Sequence, residues 1–262
     1  MKKHYQILII DDEEVVIQSL SKIAALDDIS VDSANDAIAA LDKINSSGYD
    51  LIICDIMLPG MDGFQFLAAV ESLHIDTPVI MTTGYSTIEN AVKSLYTGAI
   101  DFIPKPFTID EMTSAIHRGI KYSELIRNKK NKNEPVIIVP CPAKYLRLGY
   151  SSWMNKELDG SVLIGATNMF IKTLEQIKSV ELMDIESSLT QASPAVKFNT
   201  EDGLVHQLCA VISGSIIDRN EKLLNEPELL EKDPYFDGWI YRIIPIELEY
   251  EMKLLIPCSS DR

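Results

Sequence analysis

The sequence has 262 residues, 46% of them hydrophobic and 24% charged, so it can form one or two domains with their own cores. Its net charge of −15 disfavours a protein that binds nucleic-acid phosphates or an anionic membrane surface, because both need clustered Lys and Arg. No apolar run approaches the roughly 18 residues of a membrane-spanning helix, and Asp11 and Asp12 interrupt the first apolar stretch. We therefore expect a cytoplasmic protein.

The first half of the sequence alternates short apolar runs with segments of helical period. The runs that predict buried strands are 7–10, the weaker 29–31, 51–54, 79–81 and 100–103. The apolar faces that predict helices are 15–24, 37–44, 64–73, 88–95 and 112–120. Thr108 and Glu111 have the spacing of a capping box before the last of these helices. This alternation predicts an α/β fold with a doubly wound, five-stranded parallel sheet.

A polar, basic stretch over 128–135 marks a boundary near the middle of the chain. It separates two acidic halves, with net charges of −10 over 1–127 and −7 over 135–262. Pro135 closes the stretch, as is typical where a helix ends in a linker. We predict a first domain over 1–127, a linker over 128–138 and a second domain over 139–262.

The second half has shorter apolar runs separated by turn signals. The runs are 136–139, 161–164, 195–198, 208–212 and 239–244, and the turn pairs are Asp159-Gly160, Asp202-Gly203 and Ser213-Gly214. Asp-Gly between extended runs favours a hairpin. Helical patches lie around 168–176 and 220–230. We expect a small β-rich domain with peripheral helices, with Trp239 in its core and His206 on its surface.

The four cysteines, Cys54, Cys141, Cys209 and Cys258, are widely scattered and form no C-x-x-C pair. This spacing favours free thiols that act as small apolar side chains.

Polar residues follow several predicted strands of the first half: Asp11 and Asp12, then Asp55, Thr82 and Lys105. Because the carboxyl ends of parallel strands meet at one edge, we expect the three carboxylates to converge there. Carboxylates about 4 Å apart repel each other by ~4 kcal/mol at an effective dielectric of 20, so the cluster needs a cation. Mg²⁺ and Lys105 supply the charge for a phosphoryl-transfer site with an Asp nucleophile. The alternative for Asp11 and Asp12 alone is stabilisation of a helix dipole.

Four motifs of the first half follow a known pattern: 7–13 with Asp11 and Asp12, 55–63 with Asp55, 82–85 with Thr82, and 101–107 with Lys105. On these motifs, residues 4–122 resemble the receiver domain of two-component response regulators. The resemblance implies the flavodoxin-like receiver fold and a protein that is no enzyme beyond assisting its own phosphorylation and dephosphorylation.

The resemblance also implies roles for the residues at the strand ends. Asp55 is the phosphoacceptor, and Mg²⁺ is bound by Asp11, Asp12, Asp55 and the backbone carbonyl of Met57. Its partner is a cognate sensor histidine kinase or a phosphotransfer protein.

Three further positions carry the conformational response in this family. Thr82 is the switch hydroxyl, Phe102 is the aromatic residue that turns inward when Thr82 moves, and Lys105 contacts the phosphate. Lys105-Pro106 is the cis peptide that such domains usually contain.

Motifs of the second half lie at 152–153, 160–168, 213–214, 225–230 and 233–240. On these motifs, residues 145–245 are similar to the glycine cleavage system H protein, a lipoyl carrier with a barrel-sandwich hybrid fold. H proteins present the lipoylated Lys at a hairpin tip eleven residues before the Gly of the Ser-Gly pair. Counting back from Gly214 reaches Gly203, and the nearest Lys, Lys197, falls in the preceding predicted strand. We therefore expect no lipoate.

These patterns predict a phosphorylation-controlled response regulator whose output is protein–protein interaction through a non-lipoylated H-like domain with an unknown protein partner. The absence of a helix-turn-helix and of a basic helix argues against DNA as a partner. We expect no membrane partner, and a homodimer stays open. The alternatives are a receiver-gated acyl or aminomethyl carrier of the H-protein type, and a phosphate sink without output.

Overall fold

The computed structural model describes residues 6–130 and 137–260. These residues form two compact units, one made of 6–87 with 97–130 and the other of 88–96 with 137–260. Most of the predicted linker, residues 131–136, lies outside the described residues.

The first unit contains the predicted five-stranded sheet, and every strand pair in it is parallel. The strands are β1 (Gln6–Ile10), β2 (Ser30–Ala34), β3 (Leu51–Asp55), β4 (Val79–Thr83) and β5 (Asp101–Pro104), in the order β2-β1-β3-β4-β5. All residues of β3 and β4 are buried, as expected for strands covered on both faces. The predicted α/β fold is confirmed.

The helices of the first half follow the strands in the predicted order. They are α1 (Glu14–Ala25), α2 (Ala37–Ser46), α3 (Gly63–Ser72), α4 (Ile88–Tyr96) and α5 (Ile109–Lys130). The predicted capping box forms at the start of α5, where the Glu111 amide donates to Thr108 Oγ1 (3.2 Å) and the Thr108 amide donates to Glu111 Oε2 (2.8 Å). A second box, between Asp62 and Gln65, caps α3. These caps satisfy amides that have no partner within the helix.

The second unit is rich in β-structure, with short helices, as predicted. Its strands are β6 (Leu146–Leu148), β7 (Ser152–Lys156), β8 (Val162–Ala166), β9 (Ile177–Leu182), β10 (Ser188–Leu189), β11 (Pro194–Thr200), β12 (Val205–Cys209), β13 (Gly214–Arg219), β14 (Trp239–Pro245) and β15 (Ile256–Pro257). Its own helices are α6 (Asn168–Lys172), α7 (Leu229–Lys232) and α8 (Leu248–Glu251). One sheet has the order β10-β13-β14-β8-β7-β6-β15, and the other has the order β12-β11-β9.

Several expectations for the second half are wrong in detail. Residues 137–139 of the predicted first strand form no regular structure, and the run at 208–212 is strand only to Cys209. Ser213-Gly214 is not a turn, because Gly214 begins β13 and pairs with Pro245. Short strands such as β7 escaped prediction because they lack the apolar runs that mark buried strands elsewhere.

The core of the second unit also differs from expectation. Trp153 is fully buried, whereas Trp239 is only half-buried against the same cluster, and His206 is buried within β12 instead of lying on the surface. The Trp153 indole N–H donates to the carbonyls of Ala166 (2.9 Å) and Pro234 (3.1 Å), which explains how its polar atom is accommodated.

The expectation of four free thiols is wrong for two of them. Cys141 and Cys258 form a disulfide, while Cys54 and Cys209 are not disulfide-bonded. The bonded residues are 117 positions apart in sequence, and their proximity arises only when β15 pairs with β6.

Candidate functional site

The carboxyl ends of β1, β3, β4 and β5 bring together part of the predicted cluster. Asp55 is the last residue of β3 and lies opposite Thr82 of β4, while Asp11 follows β1 directly. Asp11, Asp55 and Thr82 are all buried, and all three lie at the carboxyl edge of the sheet. The sheet topology therefore places an acid, a second acid and a hydroxyl next to each other, as the sequence predicts.

The Lys105 ammonium joins the two buried acids. Its Nζ lies 2.7 Å from Asp11 Oδ2 and 2.8 Å from Asp55 Oδ1. The Lys105 amide donates to the Thr83 carbonyl (2.8 Å), which ties the residue to the end of β4. The predicted cis peptide between Lys105 and Pro106 is confirmed. Lys105 thus supplies the positive charge that offsets carboxylate repulsion.

Asp12 does not join this cluster, because it is exposed. Within the described ranges, no group of three or more His, Cys, Asp or Glu side chains is close enough to hold a metal ion. The expected convergence of three carboxylates is therefore reduced to two. A physical reason is that the single Lys105 ammonium cannot offset a third buried carboxylate, whereas an exposed carboxylate keeps its hydration.

Burial and ion pairing act in opposite directions on these groups. Burial raises the pKa of the Asp11 carboxyl, and the hydrogen bond from Lys105 only partly offsets this. Burial alone lowers the pKa of Lys105, but the hydrogen bonds to Asp11 and Asp55 outweigh it, and the net pKa is raised. Lys105 therefore stays protonated at neutral pH.

Asp55 is held by the loop that follows it. The Met57 amide donates to Asp55 Oδ2 (2.6 Å), and the Ile56 amide donates to the Thr82 carbonyl (2.9 Å). Behind this loop, the start of α3 approaches so closely that a Cβ on Gly63 would lie 2.8 Å from Ile56 Cα and closer still to the Asp55 carbonyl oxygen. Sequence analysis assigned Gly63 no role, although its place eight positions after Asp55 in the same motif was the available signal.

Thr82 is fully buried, and its Oγ1 has no hydrogen-bond partner among the described residues. An unsatisfied buried hydroxyl costs about 1–3 kcal/mol, so its retention needs an explanation. Phe102 of β5 pairs with Met81 of the neighbouring strand β4. Its half-buried side chain packs against the core of the first unit. The structure thus places a donor with unused capacity beside Asp55.

The donor chemistry at this edge suits a hard cation. Mg²⁺ takes one or two carboxylates, together with water and phosphate oxygens, and Asp11 and Asp55 offer two carboxylates within reach of one ammonium. Asp12 follows Asp11 in sequence and is exposed to solvent.

The hairpin in which the sequence count places the carrier position of H proteins is present in the second unit. It joins β11 to β12, and Gly203 lies in its exposed turn with a left-handed φ of +85°. Asp202 Oδ1 accepts hydrogen bonds from Thr200 Oγ1 (2.5 Å) and from the Leu204 amide (3.2 Å), which closes the turn. Lys197 lies on β11, paired with Gln207 and Glu181, and not in the turn.

A parallel sheet of order 2-1-3-4-5 with an Asp–Lys–Asp cluster at its carboxyl edge defines a receiver-type domain. Comparison with known families agrees: residues 7–117 match the response regulator receiver domain, and residues 144–259 match the glycine cleavage H-protein. The chain therefore contains a receiver domain followed by an H-protein domain.

Curated relatives match the receiver part. The chain is 36% identical over 120 residues to the regulatory protein AtoC of Escherichia coli, covering 46% of this chain and 26% of AtoC. It is 34% identical over 107 residues to the response regulator MprA of Mycobacterium avium, covering 41% of this chain and 47% of MprA. The matched region spans less than half the length of either relative.

Among solved structures, a CheY-like response regulator receiver domain protein from Methanospirillum hungatei shares 32% identity with this chain. The match covers 47% of this chain and 98% of that protein, with a TM-score of 0.44.

None of the helices in the described ranges combines the length and the apolarity needed to span a bilayer.

Proposed function

We propose that this protein is a response regulator that is phosphorylated on Asp55 with Mg²⁺ as cofactor. The observation that carries this proposal is the buried Thr82 hydroxyl, which lacks a partner among the described residues beside a carboxylate already paired with Lys105. A phosphoryl group on Asp55 offers acceptor oxygens to both the Thr82 hydroxyl and the Lys105 ammonium. The phosphoryl group would come from a sensor histidine kinase or a phosphotransfer protein.

In the proposed reaction, a carboxylate oxygen of Asp55 attacks the phosphorus of the donor. A new P–O bond forms as the bond to the leaving group breaks, and the leaving group keeps the bonding electrons. Lys105 donates hydrogen bonds to the incoming phosphoryl oxygens and offsets their charge. Asp11, Asp12, Asp55 and the Met57 carbonyl would hold Mg²⁺, which would supply further charge neutralisation.

The same contacts explain a change of state. The phosphoryl group adds about −2 charge and strong acceptor oxygens at the end of β3. Thr82 then moves toward the phosphate to satisfy its hydroxyl, and Phe102, in the neighbouring strand, turns inward into the space that Thr82 leaves. The loops after β4 and β5 carry this change to the surface.

The H-protein domain is proposed to act as a protein-binding output and not as a carrier. Amide formation with lipoate needs an amine at an accessible hairpin tip, and the tip here is Glu201-Asp202-Gly203. The partner is a protein, and the proposed location is the cytoplasm.

The phosphoacceptor is tested on the full chain with a small phosphodonor and Mg²⁺. Intact mass spectrometry is expected to show one added phosphoryl group that is stable to acid and labile to alkali. Asp55→Asn abolishes this gain, whereas Asp42→Asn, at an exposed position of α2, retains it. Labelling of Asp55→Asn at the rate of the unmodified protein contradicts the assignment, and omission of Mg²⁺ is expected to slow labelling strongly.

The output is tested by comparing the oligomeric state and partner binding of phosphorylated and unphosphorylated protein. A change that Asp55→Asn does not show supports the proposed output, and no change in either property supports a phosphate sink. Intact mass of protein made in a lipoylation-competent host distinguishes the carrier: an added lipoyl group would establish it, and its absence supports a binding module.

A further inference from the structure

The disulfide of the second unit joins two segments that are 117 positions apart in the sequence. Cys141 lies before β6, and Cys258 follows β15, with their Cα atoms 5.6 Å apart. This separation is within the usual range for a disulfide. Cys258 is buried, whereas Cys141 is only half-buried, so the Cys141 side of the bond is the more accessible to a small reagent.

The segment that contains Cys141 has its own attachment to the second unit. The Asn168 side-chain oxygen accepts from the Val139 amide (2.9 Å), and the Tyr235 hydroxyl donates to the Val139 carbonyl (3.1 Å). These bonds do not involve the cysteines. The entry segment therefore keeps two anchors when the disulfide is open.

The segment that contains Cys258 is attached by the buried side chain of Leu255 and by a short strand pairing. β15 has only two residues and pairs with β6 through Ile256–Arg147 and Pro257–Leu146. The Cys258 amide adds one hydrogen bond to the Tyr145 carbonyl (3.0 Å). A two-residue strand at a sheet edge is marginal by itself, so the disulfide adds a covalent link where the strand pairing is short.

Cys258 belongs to an aromatic cluster with Tyr145, Trp153 and Tyr235, and Cys141 and Trp239 pack against it. The ring centroids of Tyr145 and Trp153 are 4.9 Å apart. Both tryptophans of the chain lie in this cluster, so their fluorescence reports its state.

The remaining cysteines do not offer an alternative pairing. Cys54 is in the core of the first unit, where burial raises the pKa of its thiol well above its ordinary value, and Cys209 ends β12. Structural disulfides are rare in cytoplasmic proteins, in which a disulfide is usually catalytic or redox-sensing. This last step rests on the proposed cytoplasmic location.

We propose that Cys141 and Cys258 form a reversible thiol–disulfide site that exchanges with low-molecular-weight thiols and sets how firmly β15 is attached. A thiolate attacks Cys141 Sγ, the S–S bond breaks, and Cys258 leaves as a thiolate that takes up a proton. A second small thiolate then attacks the small-molecule sulfur of this mixed disulfide, a small disulfide forms, and Cys141 leaves as a thiolate that takes up a proton. The balance is one protein disulfide and two thiols giving two protein thiols and one small disulfide, and the reverse reaction uses the small disulfide as oxidant.

The test equilibrates the full, folded chain in mixtures of reduced and oxidised glutathione and then alkylates free thiols. Peptide mass spectrometry is expected to show Cys141 and Cys258 protected together under oxidising mixtures, and labelled together under reducing ones, in both directions of titration. The labelling of Cys54 and Cys209 should not follow the glutathione ratio. A pair that stays reduced in oxidised glutathione, or that opens only when the protein is unfolded, overturns the proposal.

The structural consequence is read by hydrogen exchange and by tryptophan emission. Opening the disulfide should speed exchange at 256–258 more than at Val139, and should shift the emission of the unmodified chain. Cys141→Ser is expected to lose the emission response, and Cys209→Ser to keep it. Exchange at 256–258 that is equal in both redox states contradicts the role in holding β15. Because no readout uses phosphorylation, failure of Asp55 labelling and failure of this proposal are seen separately.

Discussion

At the scale of single residues, the receiver site depends on which side chains form ion pairs with Asp11 and Asp55 and so offset their negative charge. Strand-end alignment made the pairing of these acids predictable, and Lys105 was the nearest cation at the same edge. Asp12 differs because a residue beyond the strand end is free to face either way, and only the folded loop turns it to solvent. Sequence could name the acids but could not count how many converge.

The unsatisfied hydroxyl of Thr82 leads to a prediction about stability. Thr82→Val replaces a buried hydroxyl, which has no hydrogen-bond partner within the described residues, by a methyl group, so we expect the unphosphorylated protein to gain about 1 kcal/mol. Thr83, equally buried on the same strand, accepts from the Tyr85 amide (3.1 Å), so Thr83→Val should lose about 1 kcal/mol. Urea unfolding followed by circular dichroism compares the two, and an equal loss in both variants contradicts the interpretation of Thr82.

At the scale of elements, the receiver site is positioned by the contact between the end of β3 and the start of α3. The Gly63 amide donates to the Ile56 carbonyl (2.9 Å), and the capping box of Asp62 and Gln65 fixes where the helix begins. The helix therefore supports the loop that carries Asp55 and Met57. This is a close approach of backbone to backbone, which sequence marks only by a glycine.

Gly63→Ala tests this support. A Cβ at this position would contact the backbone of Asp55 and Ile56, which cannot move aside like a flexible side chain, so we expect a loss of about 1–3 kcal/mol and slower labelling of Asp55. Gly48→Ala is the matched control, since a Cβ there has nothing within 4 Å. Equal urea midpoints and equal labelling rates for both variants would show that the close approach has no consequence.

At the scale of the whole molecule, a receiver domain is followed by an H-protein domain in which we propose that Gly203 occupies the carrier position. The two Asp-Gly turns of the second unit are alike in local structure: Gly160, between β7 and β8, has a φ of +88°, and Gly203 has a φ of +85°. They differ only in their place in the fold. A lipoate ligase that recognises the H-protein architecture should distinguish them.

Gly203→Lys is therefore expected to acquire a lipoyl group in a lipoylation-competent host, whereas Gly160→Lys and the unmodified protein are not. Each Lys adopts a left-handed conformation at a cost of about 1–2 kcal/mol, so the two variants are matched in strain. Intact mass spectrometry decides the outcome. Modification of both variants, or of neither, contradicts the assignment of the β11–β12 hairpin as the former carrier position.

Much of the receiver domain was predictable because β1, β3 and β4 contain continuous apolar runs and α5 begins with a capping box, whereas β2 reads Ser-Val-Asp-Ser-Ala and gave only a weak signal. The second unit was predicted as a class but not in its strands. β7 reads Ser-Trp-Met-Asn-Lys and has four buried residues, although two of these are polar, so periodicity could not reveal it. Its burial depends on neighbours that are distant in sequence, such as Pro234, whose carbonyl accepts from the Trp153 indole N–H.

The amino-acid sequence by itself determined the order of strands and helices in the first half, the capping box at Thr108, the chemical types at the strand ends and the glycine at position 203, since all of these are local patterns. Only the tertiary structure decided that Lys105 joins two acids and leaves Asp12 exposed, that Thr82 Oγ1 is buried without a partner within the described residues, and that Cys141 meets Cys258. The physical reason is that burial, hydrogen bonding and disulfide pairing depend on distances between segments far apart in the chain, which local patterns do not contain.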